Sequence, residues 1–352
     1  MISVKNFVES FLIKLGLKKR KEVIYIITGP SGAGKTTLGK YLKSLNIPEL
    51  VSCTTRKMRK GEIQGIHYNF ISKKKYDKLD KIEYTEYADN FYCLTRKEVT
   101  RKLKKYSEVF AVTDIEGVNQ IKNKFKEKVK VIYIYTPLDE MKDRMKLRGD
   151  KEENIEERLE YAKLTGEFRN YIYADYIIEN MELEKSKERL AKIISINKGK
   201  HLEIERKFLV NHLPDLSDVP HCEIRQGYLD TEIETRIRKQ DNEYYKTIKS
   251  EGDMVREEIE TIISEEEFNF LSKQVVNNFV EKTRYYLLEG SNVIELDIYK
   301  NELNGLITAE VEFLDLKEAE DFNAPDWFDI EVTENKNYKN KNLSKYGLSK
   351  SA

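Results

Sequence analysis

The sequence has no cysteines at the spacing of a metal site or a disulfide framework. Its three cysteines, Cys53, Cys93 and Cys222, stand far apart with no CxxC. That argues against a zinc site or a disulfide scaffold and fits a reducing cytoplasm. No apolar run approaches the roughly 20 residues that a membrane-spanning helix needs, so no membrane span is expected. Net charge is absent too: 62 basic and 62 acidic residues cancel. This removes the global positive field that nucleic-acid binding uses. Histidine is scarce and scattered, at positions 67, 201, 212 and 221. Internal repeats and low-complexity tracts are missing.

What is present is a chain of 352 residues, enough for two domains with separate cores. Over residues 1–21, Val4, Phe7, Val8, Phe11, Leu12 and Leu15 recur at helical spacing ahead of a basic run at 18–21. The expectation is an amphipathic helix that packs on the protein or a partner, or lies on a membrane surface; the charge order is wrong for a secretory signal. Residues 22–197 alternate buried strands (VIYIITG, VFAVTD, VKVIYIYT) with polar helices (GKTTLGKYLKSL, LDEMKDRMKLRG). This pattern predicts a parallel α/β sheet with helices on both faces. A short polar bridge, NKGK at 197–200, leads into residues 201–350, where the period becomes two. Eight strand-like segments with turn residues between them, interrupted by one helix that Ser264 caps, predict an α+β domain with an eight-stranded antiparallel β-barrel.

In the first domain Gly29, Pro30, Ser31, Gly32, Ala33, Gly34, Lys35 and Thr36 complete G-x-x-x-x-G-K-[ST] between a strand and a helix. Such a loop wraps phosphate in backbone N–H groups at a helix N-terminus. Lys35 should reach the β- and γ-phosphates of ATP, Thr36 should hold Mg²⁺, and Thr37 follows in the same turn. The stretch 52–70 then resembles the acceptor site of guanylate kinases. The resemblance implies GMP binding by Ser52, Arg56, Arg59 and Tyr68, guanine reading by Glu83, and an acid at Asp114. Planar bidentate cations suit a dianionic phosphate. Arg144, Arg148 and Arg158 resemble the family's lid arginines, which compensate charge on the transferring phosphoryl group. Asn180 matches a residue near the adenine.

Three motifs depart from that family's pattern. Its Tyr-Gly-[Ser/Thr] is Tyr92-Cys93-Leu94 here, so a hydroxyl that reads the base is replaced by Leu94. Its Asp-x-Asp is Val112-Thr113-Asp114, and the lid's first glycine is Leu147. Loss of a polar reader loosens discrimination between bases.

In the second domain charged residues alternate on strand after strand. Glu203, Glu205 and Lys207 open the series. Arg236 with Arg238, Lys249, Arg256 with Glu258 and Glu260, Lys282 with Arg284, Glu295 with Asp297, and Glu310 with Glu312 follow. Alternate residues of a strand share a face. The array therefore predicts a charged interior, where a barrel of this size is ordinarily filled with side chains. The order resembles the CYTH, or triphosphate tunnel metalloenzyme, family. That resemblance implies triphosphate binding by Lys207, Arg236, Arg238, Lys249, Arg256, Lys282 and Arg284. It implies Mg²⁺ or Mn²⁺ on Glu203, Glu205, Glu258, Glu260, Glu295, Asp297, Glu310 and Glu312, whose oxygens are hard ligands.

The combined expectation is a bifunctional bacterial cytoplasmic enzyme. It joins an ATP-dependent GMP kinase, with Lys35, Arg144, Arg148 and Arg158 at the transferring group, to a metal-dependent triphosphatase with Lys207 in its site. A class IV adenylate cyclase chemistry in the tunnel, or one domain sensing nucleotide or polyphosphate for the other, are the alternatives. Homo-oligomerisation stays open.

Overall fold

The computed structural model describes residues 21–87, 89–198, 204–231, 234–249 and 258–348. The expected amphipathic helix therefore lies outside the described residues, apart from Lys21. The chain falls into two compact units, one ending at 199 and the other starting at 200.

The first unit begins with β1 (Val23–Thr28), whose six residues are all buried. A continuous apolar strand of this kind is covered on both faces, as in a parallel sheet. Short strands β2 (Cys53–Thr54) and β3 (Asn69–Phe70) follow, then β4 (Lys81–Tyr87) and β5 (Asn90–Thr95). Next come β6 (Glu108–Val112), β7 (Val129–Tyr135) and β8 (Tyr176–Glu179). The main sheet runs β6-β1-β7-β8, every pair parallel. A second sheet runs β3-β2-β5-β4, with β2 and β3 parallel and the other pairs antiparallel. The core packs Ile24, Ile26, Val109 and Val131 against Val99, Leu103, Val118 and Ile121. The last four come from the helices Arg96–Tyr106 and Ile115–Phe125. Both helices start on side-chain caps: Thr95 accepts from Glu98 N, and Asp114 from Gly117 N.

The second unit contains β9 (Ile204–Val210), β10 (His221–Leu229), β11 (Thr235–Gln240), β12 (Glu243–Lys249) and β13 (Glu258–Ile262). After the helix Glu265–Ser272, whose N-cap is Ser264 as expected, come β14 (Val280–Glu289), β15 (Asn292–Tyr299), β16 (Ile307–Phe313) and β17 (Phe328–Glu331). All eight expected strands form, and β17 is a ninth. The order is β13-β12-β11-β10-β14-β15-β16-β9-β17. The expected closed barrel is corrected here: among the described residues no pairing joins β13 to β17, so the sheet is open. The added strand β17 takes the free side of β9, with a register shift between Phe328 and Glu331. Its Asp329, Ile330 and Glu331 are exposed, as is most of β13. Two exposed, charged edges do not close on each other.

One face of this sheet is apolar. Phe208, Ile294, Leu296, Ala309, Val311 and Phe313 pack on it with Ala319 of the helix Leu316–Asp321. The opposite face carries the charge.

Candidate nucleotide and polyphosphate sites

The phosphate loop joins β1 to the helix Lys35–Ser44. Gly29 has φ +138°, and a Cβ there would lie 2.6 Å from Ile134 O. Gly34 caps the helix at φ +99°, and its Cβ would meet Asn180 Nδ2 at 2.1 Å. Only glycine fits either position. Lys35 Nζ donates to Gly29 O (2.5 Å) and Pro30 O (2.9 Å), so the ammonium lies within its own loop. Burial lowers its pKa and the Glu167 carboxylate opposes that. Thr36 and Thr37 occupy the helix's first turn. Asn180 is buried. It donates to Ala33 O at 2.7 Å and accepts from Ser186 Oγ at 2.9 Å. The structure thus places Asn180 as a brace beneath the loop.

The acceptor side is built on the smaller sheet. Arg56 donates through Nη1 and Nη2 to the two oxygens of Glu62, at 3.0 and 2.7 Å. Glu62 also accepts from Arg59 N at 2.6 Å, and the Arg56 bonds followed by this one hold its pKa down at about 2. The Arg56 guanidinium lies 5.6 Å from the ring centroids of Tyr68 and Phe70, and Tyr68 packs edge-on against Tyr92. Ser52 sits just ahead of β2, while the Arg59 side of the loop is exposed. Glu83 stands opposite Leu94 across β4 and β5 and accepts from Leu94 N at 3.0 Å. Burial first, then the nearby Asp114 carboxylate, push Glu83 up to about 7.

The three lid arginines belong to the helices Leu138–Leu147 and Glu152–Leu164 and the turn between them. Arg144 donates to Asn180 O at 2.6 Å and pairs with Glu140 at 2.9 Å. Arg148 and Arg158 both engage Asp150, the latter at 3.4 Å. Sequence reasoning missed the partners Glu62, Tyr92, Asp150 and Glu167. Glu62 and Asp150 carry a usable signal, an acid within a few residues of a predicted phosphate-binding arginine. Glu167 carries none, because only the fold brings it to Lys35.

In the second unit the register decides which residues share a face, since directly opposed residues of a sheet point the same way. Glu205 opposes Glu312, Lys207 opposes Glu310, and Glu310 opposes Glu295. Asp297 opposes Arg284, and Arg284 opposes Cys222. Gln226 opposes Arg238, Tyr228 opposes Arg236, and Arg236 opposes Thr247, which opposes Glu260. The backbones of Lys249 and Glu258 pair on this face as well, although their side chains lie outside the described residues. Glu203 and Arg256 also fall outside them.

The described charges are mutually compensated. Lys207 pairs with Glu310 at 2.7 Å and donates to Tyr338 O at 2.9 Å. Arg284 is bidentate on Asp297 at 2.7 Å, reaches Glu310 at 3.3 Å and pairs with Glu295. Lys282 pairs with Asp297, both fully buried. Arg238 meets Glu260 at 3.0 Å, and Arg236 meets it at 3.4 Å. Burial disfavours the Arg284 charge, yet Asp297 and Glu295 hold its pKa well above the ordinary value. Burial likewise opposes the Glu310 charge, and Lys207 and Arg284 keep that carboxyl well below the usual range.

Donor chemistry fits both expected ligands. Arg238 Nε is buried without a hydrogen-bond partner among the described residues, a donor suited to a phosphate oxygen. Glu205 and Glu312 face each other directly. Their carboxylate oxygens are hard donors of the kind a divalent cation takes. Glu295 is raised by burial and, against the pull of Arg284, by Glu310 and Asp297; a cation suits it too. Asp297 is different, locked between Lys282 and Arg284. Among the described residues no group of three or more His, Cys, Asp or Glu side chains forms a ready coordination shell. No described helix is long and apolar enough to cross a membrane.

Comparison with known proteins divides the chain at the same place. The guanylate kinase family matches residues 21–197, and the CYTH domain family matches residues 201–346. An inorganic triphosphatase of Nitrosomonas europaea is 47% identical over 148 residues, covering 40% of this chain and 96% of the relative. A guanylate kinase of Oceanobacillus iheyensis is 33% identical over 196 residues, covering 53% of this chain and 92% of the relative. The crystal structure of a guanylate kinase from Anaplasma phagocytophilum matches at 27% identity and TM-score 0.38, covering 52% of this chain and 89% of that one.

Proposed function

The chain belongs to the guanylate kinase family over residues 21–197 and to the CYTH family over residues 201–346, and on that basis we propose that it is a bifunctional phosphate enzyme. The first unit transfers the γ-phosphoryl group of ATP to GMP. The second hydrolyses tripolyphosphate or a nucleoside triphosphate. The observation that carries the reading is the shared face of the nine-stranded sheet. Lys207, Arg236, Arg238, Lys282 and Arg284 stand there among carboxylates, opposite an apolar face that holds the core.

In the first unit the loop Gly29–Thr36 cradles the ATP phosphates. Lys35 leaves Gly29 O and Pro30 O to meet them. Arg56 exchanges the two Glu62 oxygens for the GMP phosphate, a like-for-like replacement of one bidentate anion by another. Arg59, Tyr68 and Ser52 complete that pocket, and Glu83 with Asp114 reads the guanine. Arg144, Arg148 and Arg158 converge on the transferring group, the last two released from Asp150. No solvent reorganisation is then needed as charge develops.

In the second unit the polyphosphate inserts between pairs that already exist. Opposite charges about 4 Å apart gain about 4 kcal/mol at an effective dielectric of about 20. Several cations on one face therefore compensate the chain of phosphates, while Arg238 Nε gains the acceptor it lacks. Glu205, Glu260, Glu295, Glu310 and Glu312 are the described glutamates whose oxygens would hold Mg²⁺ or Mn²⁺, as Thr36 would in the first unit. When bound, the metal neutralises phosphate oxygens and activates water. Asp297 fixes Lys282 and Arg284 in place. A cytoplasmic setting accords with the three free thiols.

The test is product analysis on the purified chain. ATP with GMP should give ADP and GDP, and tripolyphosphate with Mg²⁺ or Mn²⁺ should give orthophosphate. Cyclic AMP and pyrophosphate from ATP would overturn the hydrolase assignment.

A further inference from the structure

Cys53 and Cys93 face each other across β2 and β5. The backbone bond from Thr55 N to Phe91 O, two residues away on each strand, marks theirs as a hydrogen-bonded pair. Opposed α-carbons at such pairs are about 5.5 Å apart, inside the range that a disulfide spans. Both thiols are free and buried, and with Tyr76 they form the small core of this sheet. Cys93 stands at the position of the glycine in the Tyr-Gly-[Ser/Thr] motif, directly opposite Cys53.

The position bears on the acceptor site from two sides. Cys53 stands three residues before Arg56, on the strand that leads into the acceptor-side loop carrying Arg56, Arg59 and Glu62. Cys93 lies between Tyr92, which packs on Tyr68, and Leu94, whose N–H holds Glu83.

We infer that Cys53 and Cys93 form a reversible disulfide that switches acceptor-nucleotide binding in the first unit, an inference that rests on the GMP site proposed above. The oxidant class is a hydroperoxide. The Cys53 thiol attacks the peroxide oxygen, giving a sulfenic acid and releasing the alcohol, or water from hydrogen peroxide. The Cys93 thiol then displaces water, and the S–S bond forms as both thiols lose their hydrogens. A dithiol returns the pair to its reduced state by exchange. The Cys53 thiol is held below its usual pKa first by its bond with Cys93, against burial, with Lys75 adding to the effect; this favours it as the attacking sulfur. Disulfide β-carbons lie about 3.8 Å apart, while opposed β-carbons in a sheet lie about 4.5–5.5 Å apart. Oxidation therefore draws β2 and β5 together and shifts both Arg56 and the Glu83–Leu94 contact.

The experiment treats the full chain with hydrogen peroxide, maps peptides by mass and measures GMP binding by calorimetry before and after dithiothreitol. The expected result is a Cys53–Cys93 cross-linked peptide, two hydrogens lighter. GMP affinity should fall about tenfold or more and be restored by the dithiol. Cys93→Ser and Cys53→Ser chains should bind GMP when reduced and keep that affinity under peroxide. Absence of the cross-linked peptide would overturn the pairing. A cross-link with unchanged GMP affinity would overturn the switch. If the reduced chain fails to bind GMP, the kinase reading and the switch both fall, while the peptide map still decides the pairing.

Discussion

Glu310 stands directly opposite Lys207 across β16 and β9, and their side chains form a 2.7 Å ion pair. An expected carboxylate ligand and an expected phosphate cation therefore satisfy each other before any ligand arrives. Next to it among the described residues, Arg284 bridges Asp297, Glu295 and Glu310 in the same way.

Removing one member of such a pair is costly. Lys207→Ala leaves the Glu310 carboxylate with only its more distant Arg284 contact. Breaking a buried pair this way costs about 3–5 kcal/mol. The expectation is a loss of stability near the lower figure in chemical denaturation, and a loss of tripolyphosphate turnover. Full turnover in Lys207→Ala would remove that residue from the site.

The pH dependence of the first unit should follow Glu83. Its folded pKa is raised to about 7. Between the ordinary carboxylate range and that value the folded state holds a proton that the unfolded chain has lost. The stability contribution is therefore present at low pH and declines as pH rises through about 7. Guanine N–H groups need the ionised acceptor, so GMP affinity should move the opposite way and increase across the same window. Calorimetric titration of GMP below and above pH about 7 checks this. Glu83→Gln should flatten the profile, and an unflattened profile would assign it to another group.

The sequence revealed most of the sheets and fewer of the contacts. Alternation located all eight long strands of the second unit and the face each charge takes, because the period of two is a local property. It missed β17, four residues long and mostly exposed, and it implied a barrel that the edges do not close. Edge pairing depends on how far the sheet curls, which side-chain alternation does not record. In the first unit the apolar runs marked β1, β6 and β7. The two-residue strands β2 and β3 show no period to read. Motif spacing singled out Arg56, Arg148 and Arg158 but not their partners Glu62 and Asp150, which local sequence could have offered, nor Glu167 beside Lys35, which only the fold supplies.

The Arg56–Glu62 fork leads to a sharper expectation. Lysine offers a point charge in place of two parallel donors. Arg56→Lys should raise the KM for GMP about tenfold or more, leave the KM for ATP unchanged, and release Glu62 from its low pKa. Steady-state kinetics with each substrate varied separates the two. An equal rise in both constants would contradict an acceptor-side role.

Leu94 sits opposite Glu83 where a hydroxyl would read the base. Leu94→Thr restores that hydroxyl within reach of the same carboxylate. The ratio of kcat/KM for GMP over AMP should rise about tenfold, since polar readers discriminate strongly. The substitution also removes a buried side chain from the core, with an expected cost of about 2 kcal/mol. An unchanged ratio would show that the base is not read at this position.

The most direct test of two sites in one chain uses Lys35→Ala. The substitution removes the loop cation in the first unit and leaves the sequence of the second unit unchanged. The variant should form no GDP from ATP and GMP, yet release orthophosphate from tripolyphosphate with Mg²⁺ or Mn²⁺ at the unaltered rate. Loss of both activities together, or orthophosphate release that persists after Lys207→Ala is added, would contradict the account.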